Sequence, residues 1–157
     1  MSRWLGPDDP LRVELTLNGE AAALETHVRA TLADAVRATG LTGTHLGCEH
    51  GVCGACTVVL DGDPVRACLV LAAQAEGRRV DTVESLGTPD ALHPAQQALR
   101  DARGLQCGFC TPGVAVLSAW LREREPEADD ARIREVLSSS LCRCTGYGPI
   151  VSAASRA

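Results

Sequence analysis

The chain contains no lysine; all 15 of its basic residues are arginine. We read that as GC-rich codon usage, not as chemistry. No run of arginines occurs, and the net charge is −5, which argues against a nucleic-acid partner. Aromatic residues are scarce: one Phe, one Tyr and two Trp make up 3% of the chain. No apolar run approaches the roughly 20 residues of a membrane-spanning helix, so no membrane partner is expected. The opening stretch Met1–Pro10 has neither an apolar core nor a twin-arginine pair, so a reducing cytoplasm is the expected setting. There is no Ser/His/Asp logic, no Walker loop and no G-x-G-x-x-G. No substrate-transforming site is expected on this chain.

What the chain does have is eight cysteines in 157 residues, none left over from two sets of four. The first set is Cys48, Cys53, Cys56 and Cys68, spaced C-x4-C-x2-C-x11-C. The second is Cys107, Cys110, Cys142 and Cys144, spaced C-x2-C-x31-C-x-C. The opening C-x4-C-x2-C is the plant-type ferredoxin spacing for a two-iron, two-sulfur cluster, completed by a more distant cysteine. Soft thiolates suit iron in a sulfide cluster. Gly47, Gly51 and Gly54 are interleaved with the first ligands, permitting positive φ and close approach of backbone N–H groups to sulfur.

Hydrophobic periodicity divides the chain in two. Val13, Leu15 and Leu17 alternate with polar residues as a half-buried strand. Asn18-Gly19 is a hairpin turn, and residues 21–27 return as a second strand. Val28–Thr39 has helical spacing, with Gly40 as its stop. Residues 41–56 form a long aperiodic loop, which implies a job. Thr57–Leu60 and Val65–Cys68 flank a second turn; Leu69–Ala75 is a short helix candidate and Arg79–Val83 a last strand.

Strand signals then stop. Pro94 opens a helix to Arg103; Thr111-Pro112 caps and opens another, reaching about Glu125. This second helix is apolar nearly all round and should be central. Asp129 or Asp130 caps a third, and Pro149 opens a short fourth. The expected layout is a tail over 1–10, a mixed-sheet domain over 11–84, a linker over 85–93 and a helical domain over 94–157. If the helices after Cys110 and before Cys142 pack antiparallel, the second cysteine set closes into one site. With so few large core residues, metal ligation would add folding energy that two small cores lack.

Other readings stand beside the cluster. Disulfides fit neither the compartment nor the spacing. Zinc is the stronger competitor, above all at the second set, because C-x2-C suits both metals. His27, His45, His50 and His93 are possible ligands, but the thiols already supply full coordination. Trp120 reads as core, Asp61 and Asp63 as turn residues, and Glu123, Glu125 and Glu127 as a solvated helix end.

Three segments carry a specific resemblance: Gly47–Val58, Gln106–Gly113 and Leu141–Tyr147. Together they resemble the iron–sulfur subunit of the xanthine oxidase family, the molybdenum hydroxylases, which include aerobic carbon monoxide dehydrogenase. The resemblance runs from about residue 11 to the end. It implies an α+β chain: an N-terminal β-grasp ferredoxin domain holding one 2Fe-2S cluster on Cys48, Cys53, Cys56 and Cys68. A C-terminal four-helix bundle would hold another on Cys107, Cys110, Cys142 and Cys144. Gln106 matches a glutamine that contacts molybdopterin in this family.

The implied partners are a large molybdopterin-binding subunit and a medium FAD-binding subunit, in a dimer of heterotrimers. Electrons would pass from molybdenum to the bundle cluster, to the ferredoxin cluster, to FAD. His50, Ser139-Ser140 and Gly148 depart from the common pattern without removing a ligand. A free-standing two-cluster carrier and a zinc-binding interaction module are the competing functions.

Overall fold

The computed structural model describes residues 4–6 and 9–156. Of the expected tail, residues 1–3, 7 and 8 lie outside these, and Pro10 already belongs to a strand. Strands β1 (Pro10–Leu17) and β2 (Glu20–His27) form an antiparallel hairpin. Its turn is Asn18-Gly19, with φ of 53° and 86°, the positive pair a two-residue turn needs. Val13 faces Leu24 across the pair, while Arg12 faces Glu25 and bonds it at 3.0 Å on the outer side. The period-two pattern thus sorts core from solvent.

Helix α1 (Leu32–Ala38) follows, then the aperiodic loop, then β3 (Thr57–Leu60) and β4 (Asp63–Arg66) as a second hairpin. Strand β5 (Arg79–Asp81) runs parallel to β1 and antiparallel to β3, joining the hairpins into a mixed sheet of order β2-β1-β5-β3-β4. Val13, Leu15, Leu24, Leu32, Val36, Val58 and Val80 form its core.

Two expectations are revised here. Residues 28–31 do not join α1; Thr31 caps it, accepting from Asp34 N at 3.1 Å. Leu69–Ala75 is not one helix but parts of two short 3-10 turns, over 67–69 and 72–75. One physical cause explains both. Leu32 N bonds Val70 O at 2.7 Å and Ala72 N bonds Ala30 O at 2.9 Å, so each segment's backbone is committed to the other.

Four helices then pack on a second core: α2 (Pro94–Asp101), α3 (Thr111–Arg124), α4 (Asp130–Leu137) and α5 (Gly148–Ala154). Leu99, Val114, Leu117, Leu121, Ile133, Leu137 and Ile150 fill it. Each such side chain contributes about 1.5–3 kcal/mol by leaving water. His93 caps α2 by accepting from Ala95 N at 3.1 Å, and Asp129 caps α4 by accepting from Arg132 N at 2.9 Å. At α3 the cap is Cys110, not Thr111, which sits inside the first turn ahead of Pro112.

Helix α3 touches α2, α4 and α5 on one side and β3 and β4 on the other. That double contact is why its sequence is apolar nearly all round. Among the described residues no helix is long and apolar enough to cross a membrane.

Candidate metal centres

The loop between α1 and β3 has no regular structure, so its polar groups need other partners. Arg37 donates to the carbonyls of Thr42 and Thr44 at 2.8 and 2.9 Å, and Gly43 N donates to Glu84 at 2.8 Å. Gly51 and Gly54 take φ of 85° and 76°, which turns the chain around Cys53. The peptide groups so exposed are aimed at sulfur. Cys53 N donates to Cys48 Sγ at 3.4 Å, and backbone groups of His50 and Val52 reach the same sulfur.

These backbone bonds, Cys53 first, hold the Cys48 thiol down to about 6. Cys68 enters from the short turn after β4, not as the strand's last residue. Burial pushes its thiol up to about 11, helped by contact with Cys56 and by the charge of Cys48. All four members of the first set are therefore neighbours: Cys53 acts on Cys48, and Cys56 and Cys48 both act on Cys68.

The second set assembles as the antiparallel arrangement requires. Cys107-Gly-Phe-Cys110 precedes α3 and Cys142-Arg-Cys144 follows α4, and the four thiols are close enough to perturb one another: Cys142 and Cys107 both act on Cys110, and Cys107 and Cys142 both act on Cys144. Burial raises Cys110 to about 12, with Cys142 and Cys107 adding to it. At Cys142 burial also pushes upward, but bonds from the side chain and backbone of Thr145 and the backbone of Cys144 outweigh it. The Thr145 hydroxyl lies 3.1 Å from that sulfur. Cys144 is raised, first by its bond to Cys107. A cation among such thiols reverses this mutual opposition, because it stabilises all the thiolates together.

The donor arrangement separates the candidate metals. All eight cysteines are free of disulfides. Among the described residues no three His, Cys, Asp or Glu side chains converge as a single ion would need. Zinc wants four donors around one centre. The thiols of each set are instead neighbours without one common centre, and a two-iron cluster takes four thiolates spread over two metals. Thiolate donors, neighbouring sulfurs and N–H groups directed at them fit a 2Fe-2S cluster at each set.

None of the four histidines is placed as a ligand. His27 is exposed at the end of β2, His93 caps a helix, His50 bonds the carbonyl of Cys48, and His45 Nδ1 lies 2.8 Å from the carbonyl of Phe109. Gln106 is exposed beside Cys107.

Some residues at the centres escape a reading of spacing. The Tyr147 hydroxyl accepts from Cys142 N at 2.8 Å and donates to Ser140 O at 3.1 Å, pinning the second ligand loop from a residue at φ 67°. Leu141 N donates to Cys53 O at 2.8 Å, joining the two ligand loops directly. Arg66 reaches both Thr57 and the carbonyl of Ser139. Trp120 is not plain core: its indole N–H donates to Gly62 O at 2.9 Å, tying the helices to the β3–β4 turn. Tyr147 falls inside the Leu141–Tyr147 motif and so carried a local signal. The others lie 9 to 88 residues from their partners and carried none.

Comparison with known proteins matches both halves. A family described as a 2Fe-2S iron-sulfur cluster binding domain matches residues 15–86, and a second 2Fe-2S binding domain family matches residues 82–155. The chain is 49% identical over 145 residues to caffeine dehydrogenase subunit gamma of a Pseudomonas species, covering 90% of this chain and 87% of that protein. It is 47% identical over 148 residues to the nicotine 6-hydroxylase small subunit of Paenarthrobacter nicotinovorans, covering 94% and 89%. The crystal structure of quinoline 2-oxidoreductase from Pseudomonas putida 86 superposes with a TM-score of 0.89 at 44% identity, over 92% of this chain and 90% of that one.

Proposed function

The chain belongs to the iron–sulfur small subunits of the molybdenum hydroxylase family, and from that premise we propose that it relays electrons from a molybdopterin site to FAD, both held on partner subunits. The single observation that carries this is the gathering of all eight cysteines into two four-thiol sets. Cys48, Cys53, Cys56 and Cys68 hold one 2Fe-2S cluster, and Cys107, Cys110, Cys142 and Cys144 the other. Bound there, each cluster supplies a one-electron relay.

The chain's own residues do the rest. N–H groups of the 48–53 loop and the Thr145 hydroxyl donate to ligand sulfurs, which sets how readily each centre accepts charge. The buried Cys56, Cys68 and Cys110 and the half-buried Cys48, Cys53 and Cys142 keep water from much of each centre. The Leu141–Cys53 bond holds the two ligand loops together.

In this reading residues 11–84 are a β-grasp ferredoxin domain, 85–93 a linker and 94–157 a four-helix bundle. The bundle faces a large molybdopterin-binding subunit, with Gln106 contacting the pterin beside the exposed Cys107. The ferredoxin side faces a medium FAD-binding subunit, in a cytoplasmic dimer of heterotrimers. The relatives' names, subunit gamma and small subunit, support an enzyme of several chains.

The deciding experiment is low-temperature EPR on the dithionite-reduced complex, with iron and sulfide counted. Two distinct rhombic signals and about four irons per chain are expected; a colourless protein with stoichiometric zinc would overturn the assignment. Within the complex, Cys107→Ser is expected to abolish electron transfer out of the molybdenum site, and Cys53→Ser to block the step toward FAD. Unchanged turnover in either variant refutes the route.

A further inference from the structure

The two ligand loops meet at a second place besides the Leu141–Cys53 bond. Phe109, between the ligands Cys107 and Cys110, lies over the backbone of Gly47, the residue before Cys48. A Cβ on Gly47 would sit 2.8 Å from Phe109 Cε1 and 3.4 Å from Cys53 Sγ. Phe109 is nonetheless 47% exposed, so burial alone is a weak tether. Among the described residues nothing packs against the neighbouring Gly108, which has φ 83° and open space around its Cβ position.

What holds Phe109 in place is His45, three residues before Cys48. Its ring stacks on Phe109, with centroids 5.1 Å apart and planes 30° apart. Its Nδ1 lies 2.8 Å from the Phe109 carbonyl oxygen. That oxygen only accepts, so Nδ1 carries the proton and donates. One side chain thus grips both the ring and the backbone of the residue between two second-set ligands.

We propose that His45 is a positioning residue: by clamping Phe109 over Gly47 it fixes the separation and orientation of the two ligand loops, and so the electronic coupling between the two centres. This rests on the two-cluster reading above, but the clamp itself is a property of the protein. It differs from a ligand role, since His45 bonds a carbonyl and not a metal. It differs from a core-packing role, since His45 is only half-buried and its ring contact and its hydrogen bond are both to the exposed Phe109.

The test uses the assembled complex with both centres reduced. His45→Ala is expected to keep about four irons per chain, while the spin–spin splitting between the two EPR signals narrows or disperses. Backbone hydrogen exchange in segments 45–53 and 105–110 should rise about tenfold, as expected for loss of one hydrogen bond and one ring contact. His45→Asn, whose side-chain N–H can replace Nδ1–H, should restore much of both. Full iron with unchanged splitting and unchanged exchange in His45→Ala overturns the proposal.

Should His45→Ala lose iron, Phe109→Leu decides, because it keeps the carbonyl acceptor and removes only the stacked ring. Altered splitting there supports the clamp, and wild-type splitting overturns it. If the wild-type complex itself lacks two 2Fe-2S signals, the two-cluster reading fails, and the exchange experiment still judges the clamp separately.

Discussion

Gly54 shows how little room one residue leaves where the two halves meet. It follows the ligand Cys53, sits at φ 76°, and a Cβ there would stand 2.6 Å from Ser139 O and 2.7 Å from Ser140 Oγ. The sequence offers a reason for this glycine within its own loop, the turn around a cluster. The contact with residues 139 and 140 is a second reason that only the fold supplies. Gly54→Ala is therefore expected to cost on the order of 2 kcal/mol or more from left-handed strain and backbone collision. A lowered thermal midpoint together with a weakened Leu141–Cys53 contact, read by exchange at the Leu141 amide, checks this. An unshifted midpoint would mean that the loops can separate freely. The cysteines differ from Gly54, because their spacing alone names them; only their meeting across 31 intervening residues needed coordinates.

At the scale of elements, local signals worked where local physics decides. The Asn18-Gly19 hairpin, the Gly40 stop at φ 96°, the Asp129 cap and the buried α3 all follow from propensity and period. They failed at residues 28–31 and 69–75, where backbone bonds between the two segments override helical preference.

The junction of α3 and α4 carries a pH dependence of its own. Arg132 bonds Glu125 with both Nε and Nη2 at 2.7 Å and reaches Glu135 at 2.8 Å. Glu125 is not merely solvated: the Arg132 bond holds its carboxyl below the ordinary value of 4.5. A carboxyl depressed on folding stabilises the fold above its unfolded pKa, and loses that contribution as pH falls through the folded pKa. Glu125→Gln should therefore lower the urea midpoint at pH 7, with the difference shrinking to nothing well below pH 4.5. A difference that persists undiminished in acid would assign the effect to packing instead.

At the scale of the molecule, the two cores are joined face to face along α3. Trp120 and Arg124 both donate to Gly62 O, at 2.9 and 3.2 Å, beside a cleft of about 480 Å³ lined by both halves. Trp120→Phe keeps the aromatic bulk and removes one donor, so a loss of about 1 kcal/mol and a midpoint about 3 °C lower are expected. Because Arg124 still satisfies the same oxygen, adding Arg124→Ala should cost more than the two single changes summed. Strict additivity in that double-mutant cycle would show that the shared carbonyl does not couple the halves.

The sequence by itself determined the two sets of four cysteines and the change from sheet to helix, because cysteine spacing, glycine placement and hydrophobic period are local properties. The tertiary structure alone decided how the two cysteine-bearing loops touch. It also turned His45, a possible ligand by sequence, Trp120, which reads as core, and the unremarked Arg66 into ties between the halves. Those contacts join positions up to 88 residues apart. No period or spacing encodes them, since they exist only once both cores have formed and α3 has been laid against β3.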